Sequence, residues 1–110
     1  MGKTTVVPFD IEEWVEEAPG VRALVREDAG ARWAIVEYAP GAGRPDWCAV
    51  GHHIHVLAGE IEYELKSGGS VVAQAGQGLL LGDDDEHRGS NRGTVPARLL
   101  VIDLAAHSHG

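Results

Sequence analysis

The stretch "PDWCAVGHHIHVLAGE", Pro45 to Glu60, gathers three of the chain's six histidines and its single cysteine between two carboxylates, Asp46 and Glu60. Imidazole, thiolate and carboxylate are the side chains that hold zinc and iron. A thiol beside an imidazole is also a nucleophile, because the neighbouring imidazolium stabilises the thiolate. One cysteine cannot close an internal disulfide. Cys48 is therefore an apolar filler, a metal ligand or a reactive thiol.

Which histidines converge depends on how the chain is pleated. Side chains alternate along a strand, so residues of equal parity share a face. In "HHIHVL", His52, Ile54 and Val56 lie on one face, and His53, His55 and Leu57 on the other. The first face has the better apolar continuation, which sends His52 inward and His53 and His55 outward. Two ligand sets follow. Asp46, Cys48 and His52 share even parity and converge from adjoining segments. Alternatively, His53 and His55 form a His-x-His pair, with Glu60 as a third ligand beyond a turn.

The elements that must position these residues are short strands. From Val21 onward, apolar runs alternate with turn residues: "VRALVRE", "ARWAIVEYA", "HIHVLA", "EIEYELK", "SVVAQA", "GLLLG" and "ARLLVIDLA". The breaks between them are rich in Gly, Pro, Asp and Ser, the residues of turns. "EIEYEL" alternates strictly, so one face is buried and the other wet. "KSGGS" is a hairpin loop. One helix is predicted, in "FDIEEWVEEAPG". There Asp10 caps, Glu13 completes the capping box, Phe9 and Trp14 form a hydrophobic staple, and Pro19-Gly20 ends it. Residues 1–20 are thus an N-terminal extension with a short helix, and residues 21–106 a single barrel domain. Many short strands in series without intervening helices suggest a sandwich or small barrel.

At 110 residues the chain suits one domain. Its net charge of -8 argues against nucleic acid as a partner, since phosphate binding needs clustered Lys and Arg. No stretch approaches the ~20 apolar residues of a membrane span, and the N-terminus lacks the pattern of a signal peptide. The expectation is a cytoplasmic protein with no membrane partner.

Beyond the composition, most of the chain, from about Gly41 to Asp103, resembles the cupin family. The family's second motif, G-x5-P-x-G-x2-H-x3-N, is matched in "GQGLLLGDDDEHRGSN" at Gly76, His87 and Asn91, with Gly82 at the Pro position and Asp84 at the second Gly. Its first motif, G-x5-H-x-H-x3,4-E-x6-G, places Asp46 and Cys48 at the two His positions, His52 at the Glu, and Gly59 at the closing Gly. Gly41 falls one residue too close to Asp46 for the leading Gly. The alternative frame through His53, His55 and Glu60 fits worse, since its glycines would fall on Trp47 and Ser67. The resemblance implies an all-β, double-stranded β-helix (jelly-roll) barrel that binds in the cavity between its sheets and pairs as a homodimer. It also implies a metal set of Asp46, Cys48, His52 and His87. A thiolate favours a divalent transition metal such as Zn or Fe over Mg or Ca.

Two functions fit these residues. One is a metal-dependent enzyme acting on a small polar molecule, with Asp46 as fourth ligand or base. The other is a small-ligand-binding or sensor barrel with no catalytic metal, since the family's His-x-His and Glu are both replaced. Trp33, Trp47 and Tyr63 are pocket or core residues. "DDDEH" reads as a solvated turn and the tail "HSHG" as a frayed end.

Overall fold

The computed structural model describes residues 4–9, 13–28, 30–83 and 85–104. Among them are nine strands and no helix: β1 Val15–Ala18, β2 Val21–Asp28, β3 Ala31–Tyr38, β4 His52–Ala58, β5 Glu60–Leu65, β6 Ser70–Gln74, β7 Gly78–Leu81, β8 His87–Ser90 and β9 Ala97–Leu104. They form an antiparallel six-stranded sheet, ordered β1-β2-β3-β9-β4-β7, and a three-stranded sheet, β6-β5-β8. The two sheets enclose one core, as in a jelly roll.

The alternation in each run decides which face is inside. On β3, Ala34, Val36 and Tyr38 are buried; on β9, Ala97, Leu99 and Val101; on β4, Ile54 and Val56; on β5, Ile61 and Tyr63. Each fully buried Val, Leu or Ile contributes roughly 1.5–3 kcal/mol. Outside, Glu37 of β3 bridges Arg22 of β2 (2.6 Å) and Arg98 of β9 (2.9 Å) in one cross-strand row. The Arg22 guanidinium also covers the Trp14 ring at 4.1 Å.

The expected N-terminal helix is replaced by a hairpin. Val15–Ala18 is an edge strand on β2, and Pro19-Gly20, read as a helix stop, turns the chain between them. Glutamate-rich helix propensity is a weak preference, and here pairing with β2 overrides it. The proposed cap, Asp10, lies outside the described residues, as do Asp84 and the histidine tail. No helix is long and apolar enough to cross a membrane among the described residues.

The β4-β5 turn needs glycine. Gly59 has φ +73°, and a Cβ there would stand 2.5 Å from the Pro96 carbonyl oxygen. Only a residue without a side chain allows that approach. The turn carries the chain from the larger sheet, through β4, into the smaller one at β5.

Candidate metal centre

Cys48 is positioned by backbone pairing outside the regular strands. The segment 41–48 runs antiparallel to β8 as an irregular extra strand: Gly43 bridges Ser90, and Cys48 bridges His87. Cys48 and His87 exchange both backbone bonds, at 2.8 and 3.0 Å. Arg88 fixes the loop from outside, donating to the Pro45 carbonyl at 3.1 Å and lying over the Trp47 ring at 4.3 Å. Asn91 secures the far end, donating to the Tyr38 and Val95 carbonyls from a fully buried site.

Opposite Cys48, on the larger sheet, His52 heads the inward row of β4. Its Nε2 lies 3.6 Å from the Cys48 Sγ, and its ring meets that of His87 edge-on, with centroids 5.0 Å apart. Ligand atoms of Cys48, His52 and His87 all lie within 4.8 Å of one another, a cluster that could hold a metal ion. His53 and His55 are exposed on the outer face. Asp46 lines the same cavity but is exposed and stands outside the converging group.

The imidazoles are held in the tautomers that metal ligation requires. His52 Nδ1 lies 2.5 Å from Asp103 Oδ1. A carboxylate can only accept, so Nδ1 carries the proton and Nε2 is the nitrogen turned toward Cys48. His87 Nδ1 donates to the Asp85 carbonyl at 3.0 Å, which frees its Nε2 in the same way. That Nε2 is buried and has no hydrogen-bond partner. Burial, with a smaller contribution from His52, lowers the His87 pKa against the opposing pull of the Asp85 carbonyl. The ring is therefore kept neutral. An unpartnered buried nitrogen is costly unless something binds it.

The cluster forms one wall of a cavity of about 380 Å³ between the sheets. Val36 and Val101 supply apolar surface, and Tyr38, Tyr63, Arg32, Arg44 and Glu17 supply polar groups. Burial pushes the Tyr63 phenol well above its ordinary pKa, so it stays a hydrogen-bond donor. Tyr38 accepts from Arg44 Nε at 2.9 Å. Trp47 and Tyr63 line the cavity. Trp33 sits on β3 with the opposite parity to the buried row of Ala34, Val36 and Tyr38.

The family model described as "Cupin domain" matches residues 34–103. The chain belongs to the cupin family. Solved structures share its fold at low identity. A Cupin 2 conserved barrel domain protein from Salinispora arenicola has a TM-score of 0.72 at 16% identity, covering 91% of this chain and 87% of that one. The cupin domain of Cnp3 from Schizosaccharomyces pombe has a TM-score of 0.66 at 15% identity, covering 80% and 63%. Oxalate decarboxylase from Bacillus subtilis has a TM-score of 0.69 at 18% identity, covering 84% and 28%. This cupin thus spans less than two thirds of two of these three chains. A search of curated proteins finds no match.

Sequence reading missed Asp103, Tyr38, Arg44 and Glu17 as cavity residues. Two carried a signal. Asp103 continues the inward row Ala97, Leu99, Val101, and Tyr38 the row Ala34, Val36. A carboxylate on an inward parity row is itself a flag for a site.

Proposed function

We propose that this cupin binds a divalent transition metal, zinc or ferrous iron, through Cys48, His52 and His87, and acts as an enzyme on a small polar molecule in the adjoining cavity. The observation that carries this reading is the buried, unpartnered His87 Nε2 facing a second freed imidazole nitrogen and a thiol. A metal held by three protein ligands would supply a Lewis acid to polarise a ligand oxygen. The chain's own residues prepare the cavity. Asp103 and the Asp85 carbonyl fix the two imidazoles, and Val36 and Val101 supply apolar surface beside them.

Elemental analysis of untagged protein purified under reducing conditions tests the reading. Near-stoichiometric metal, lost in His52→Ala and retained in His53→Ala, is expected. No metal after reconstitution with zinc and ferrous iron would overturn it. The same proposal includes a homodimer through the outer face of the larger sheet, supported by Leu80 and Leu57 at 72% and 45% exposure. A monomeric mass by light scattering would count against that part.

A second chemistry is favoured by one set of distances. Cys48 Sγ, His52 Nε2 and Asp103 form a thiol–imidazole–carboxylate array with contacts of 3.6 and 2.5 Å. In metal-free protein, His52 is placed to take the thiol proton, giving a nucleophile. Iodoacetamide at neutral pH would then alkylate Cys48 rapidly. Slow labelling of the folded, metal-free protein would remove this reading.

A further inference from the structure

Glu17 reaches the cavity because of a β-bulge. Val15 and Glu16 pair with Ala23 and Arg22, Ala18 pairs with Val21, and the register shifts between Glu16 and Ala18. Glu17 is thus the extra residue, left out of the ladder. Bulges commonly re-aim a side chain in this way next to a site. The Glu17 carboxylate enters the cavity between two arginines. Its Oε1 accepts from Arg44 Nη2 at 2.6 Å, and its Oε2 lies 3.5 Å from Arg32 Nη2.

The two guanidiniums come from unrelated parts of the chain, Arg32 from β3 and Arg44 from the loop paired with β8. Arg44 is held in place by its Nε bond to Tyr38. Arg32 also faces Asp103, at 3.8 Å, and Asp103 holds His52. A polar belt therefore runs from the metal-ligand cluster through Asp103 and Arg32 to Glu17 and Arg44. A carboxylate flanked by two guanidiniums is the arrangement in which proteins hold carboxylic acids.

We propose that Arg32 and Arg44 are the carboxylate-binding subsite of the cavity, that the ligand is a small organic acid, and that Glu17 occupies the subsite when no ligand is bound. The inference rests on the reading of this cavity as a small-molecule site and names the class of molecule. The cavity, at about 380 Å³, lies within the range of small-ligand pockets. Glu17 is suited to displacement. It belongs to a four-residue edge strand with β2 as its one sheet neighbour, and as the bulge residue it is outside the ladder. Without its charge, Arg44 has no carboxylate partner and Arg32 keeps only Asp103, at 3.8 Å, so the cavity gains positive potential.

The test is isothermal titration of metal-free protein with malonate at constant ionic strength, beside glycerol as a neutral control. Wild type, Glu17→Gln and the double variant Glu17→Gln with Arg44→Gln are compared. Glu17→Gln should bind malonate about tenfold more tightly than wild type, the effect of removing one competing charge-assisted contact. Adding Arg44→Gln should abolish the gain, and glycerol should not distinguish the proteins. Equal malonate affinity in wild type and Glu17→Gln would overturn the proposal and leave Glu17 a structural ion-pair partner. If the variants do not fold, arginine Nε–H resonances of wild type decide. Arg32 and Arg44 should shift on malonate saturation while Arg22 and Arg98 stay, and no shift at Arg44 would overturn the proposal. Because metal is absent throughout, the result stands apart from the elemental analysis: malonate binding without any metal affinity would defeat the metal reading alone.

Discussion

His52 Nδ1 and Asp103 Oδ1 lie 2.5 Å apart across 51 residues of chain, joining β4 to β9 at the edge of the cavity. The contact selects the tautomer of His52 and adds negative charge behind its ring, which makes Nε2 a better ligand. In Asp103→Asn the hydrogen bond can persist through the amide oxygen, but the charge is gone. Zinc affinity should fall about 10- to 100-fold, the usual cost of losing such a supporting carboxylate. Competition against a chromophoric chelator measures it, and an unchanged affinity would detach Asp103 from the site.

His87 gives the protein a pH dependence of known sign. Burial lowers its pKa below the ordinary value of 6.5. As pH falls through that value the unfolded chain takes up a proton that the folded chain still refuses, so stability declines. The loss begins near pH 6.5 and is complete only below the folded-state pKa. Histidine ring NMR of metal-free protein should show His87 titrating below 6.5. A His87 transition above 6.5 would contradict the burial argument.

The fold was legible from period-2 runs because each run has one apolar face and clear breaks. Parity also turned His52 toward the core side and His53 and His55 away from it. The errors lie where tertiary pairing decides. "EEWVEEA" carries residues acceptable to a helix, and the ladder to β2 makes part of it a strand. β8, "HRGS", is absent from the period-2 runs because three polar residues and a glycine carry no strand pattern; its pairing with β5 makes it a strand. The position of Cys48 depends on bridges between a loop and β8, and that of Glu17 on a bulge. Neither has a periodicity. Asp46 shares parity with Cys48, but in an irregular segment parity does not guarantee convergence.

The glycine at the β4-β5 turn should be among the most sensitive positions in the chain. In Gly59→Ala, the left-handed backbone costs roughly 1–2 kcal/mol. The contact at 2.5 Å with the Pro96 oxygen adds strain that rigid backbone on both sides cannot relieve. A total on the order of 3 kcal/mol is expected. Gly69→Ala is the control, since its φ is +81° but nothing lies within 4 Å. It should show the backbone cost alone. Urea midpoints that coincide for the two variants would show that the Pro96 contact is without consequence.

Gly89 holds apart the parts of the cavity floor. A Cβ at this position would stand 2.8 Å from Tyr63 Cε1 and 2.9 Å from Tyr38 Oη. Both rings are buried, so neither can swing into solvent. Moving Tyr38 breaks its bond from Arg44, and moving Tyr63 disturbs the edge-on contact with His87, whose ring centroid is 5.7 Å away. Gly89→Ala should therefore cost about 1–3 kcal/mol, as overpacked cores do. It should also weaken zinc binding, because His87 is displaced through Tyr63. Adding Tyr63→Phe leaves the ring, and with it the clash, in place, whereas adding Tyr63→Leu removes the ring atoms that the new methyl meets. Partial recovery of the urea midpoint and of zinc affinity in Gly89→Ala with Tyr63→Leu, but not with Tyr63→Phe, is the expected pattern. Recovery with Phe would mean that the Tyr63 hydroxyl, and not the ring edge, sets the tolerance at Gly89.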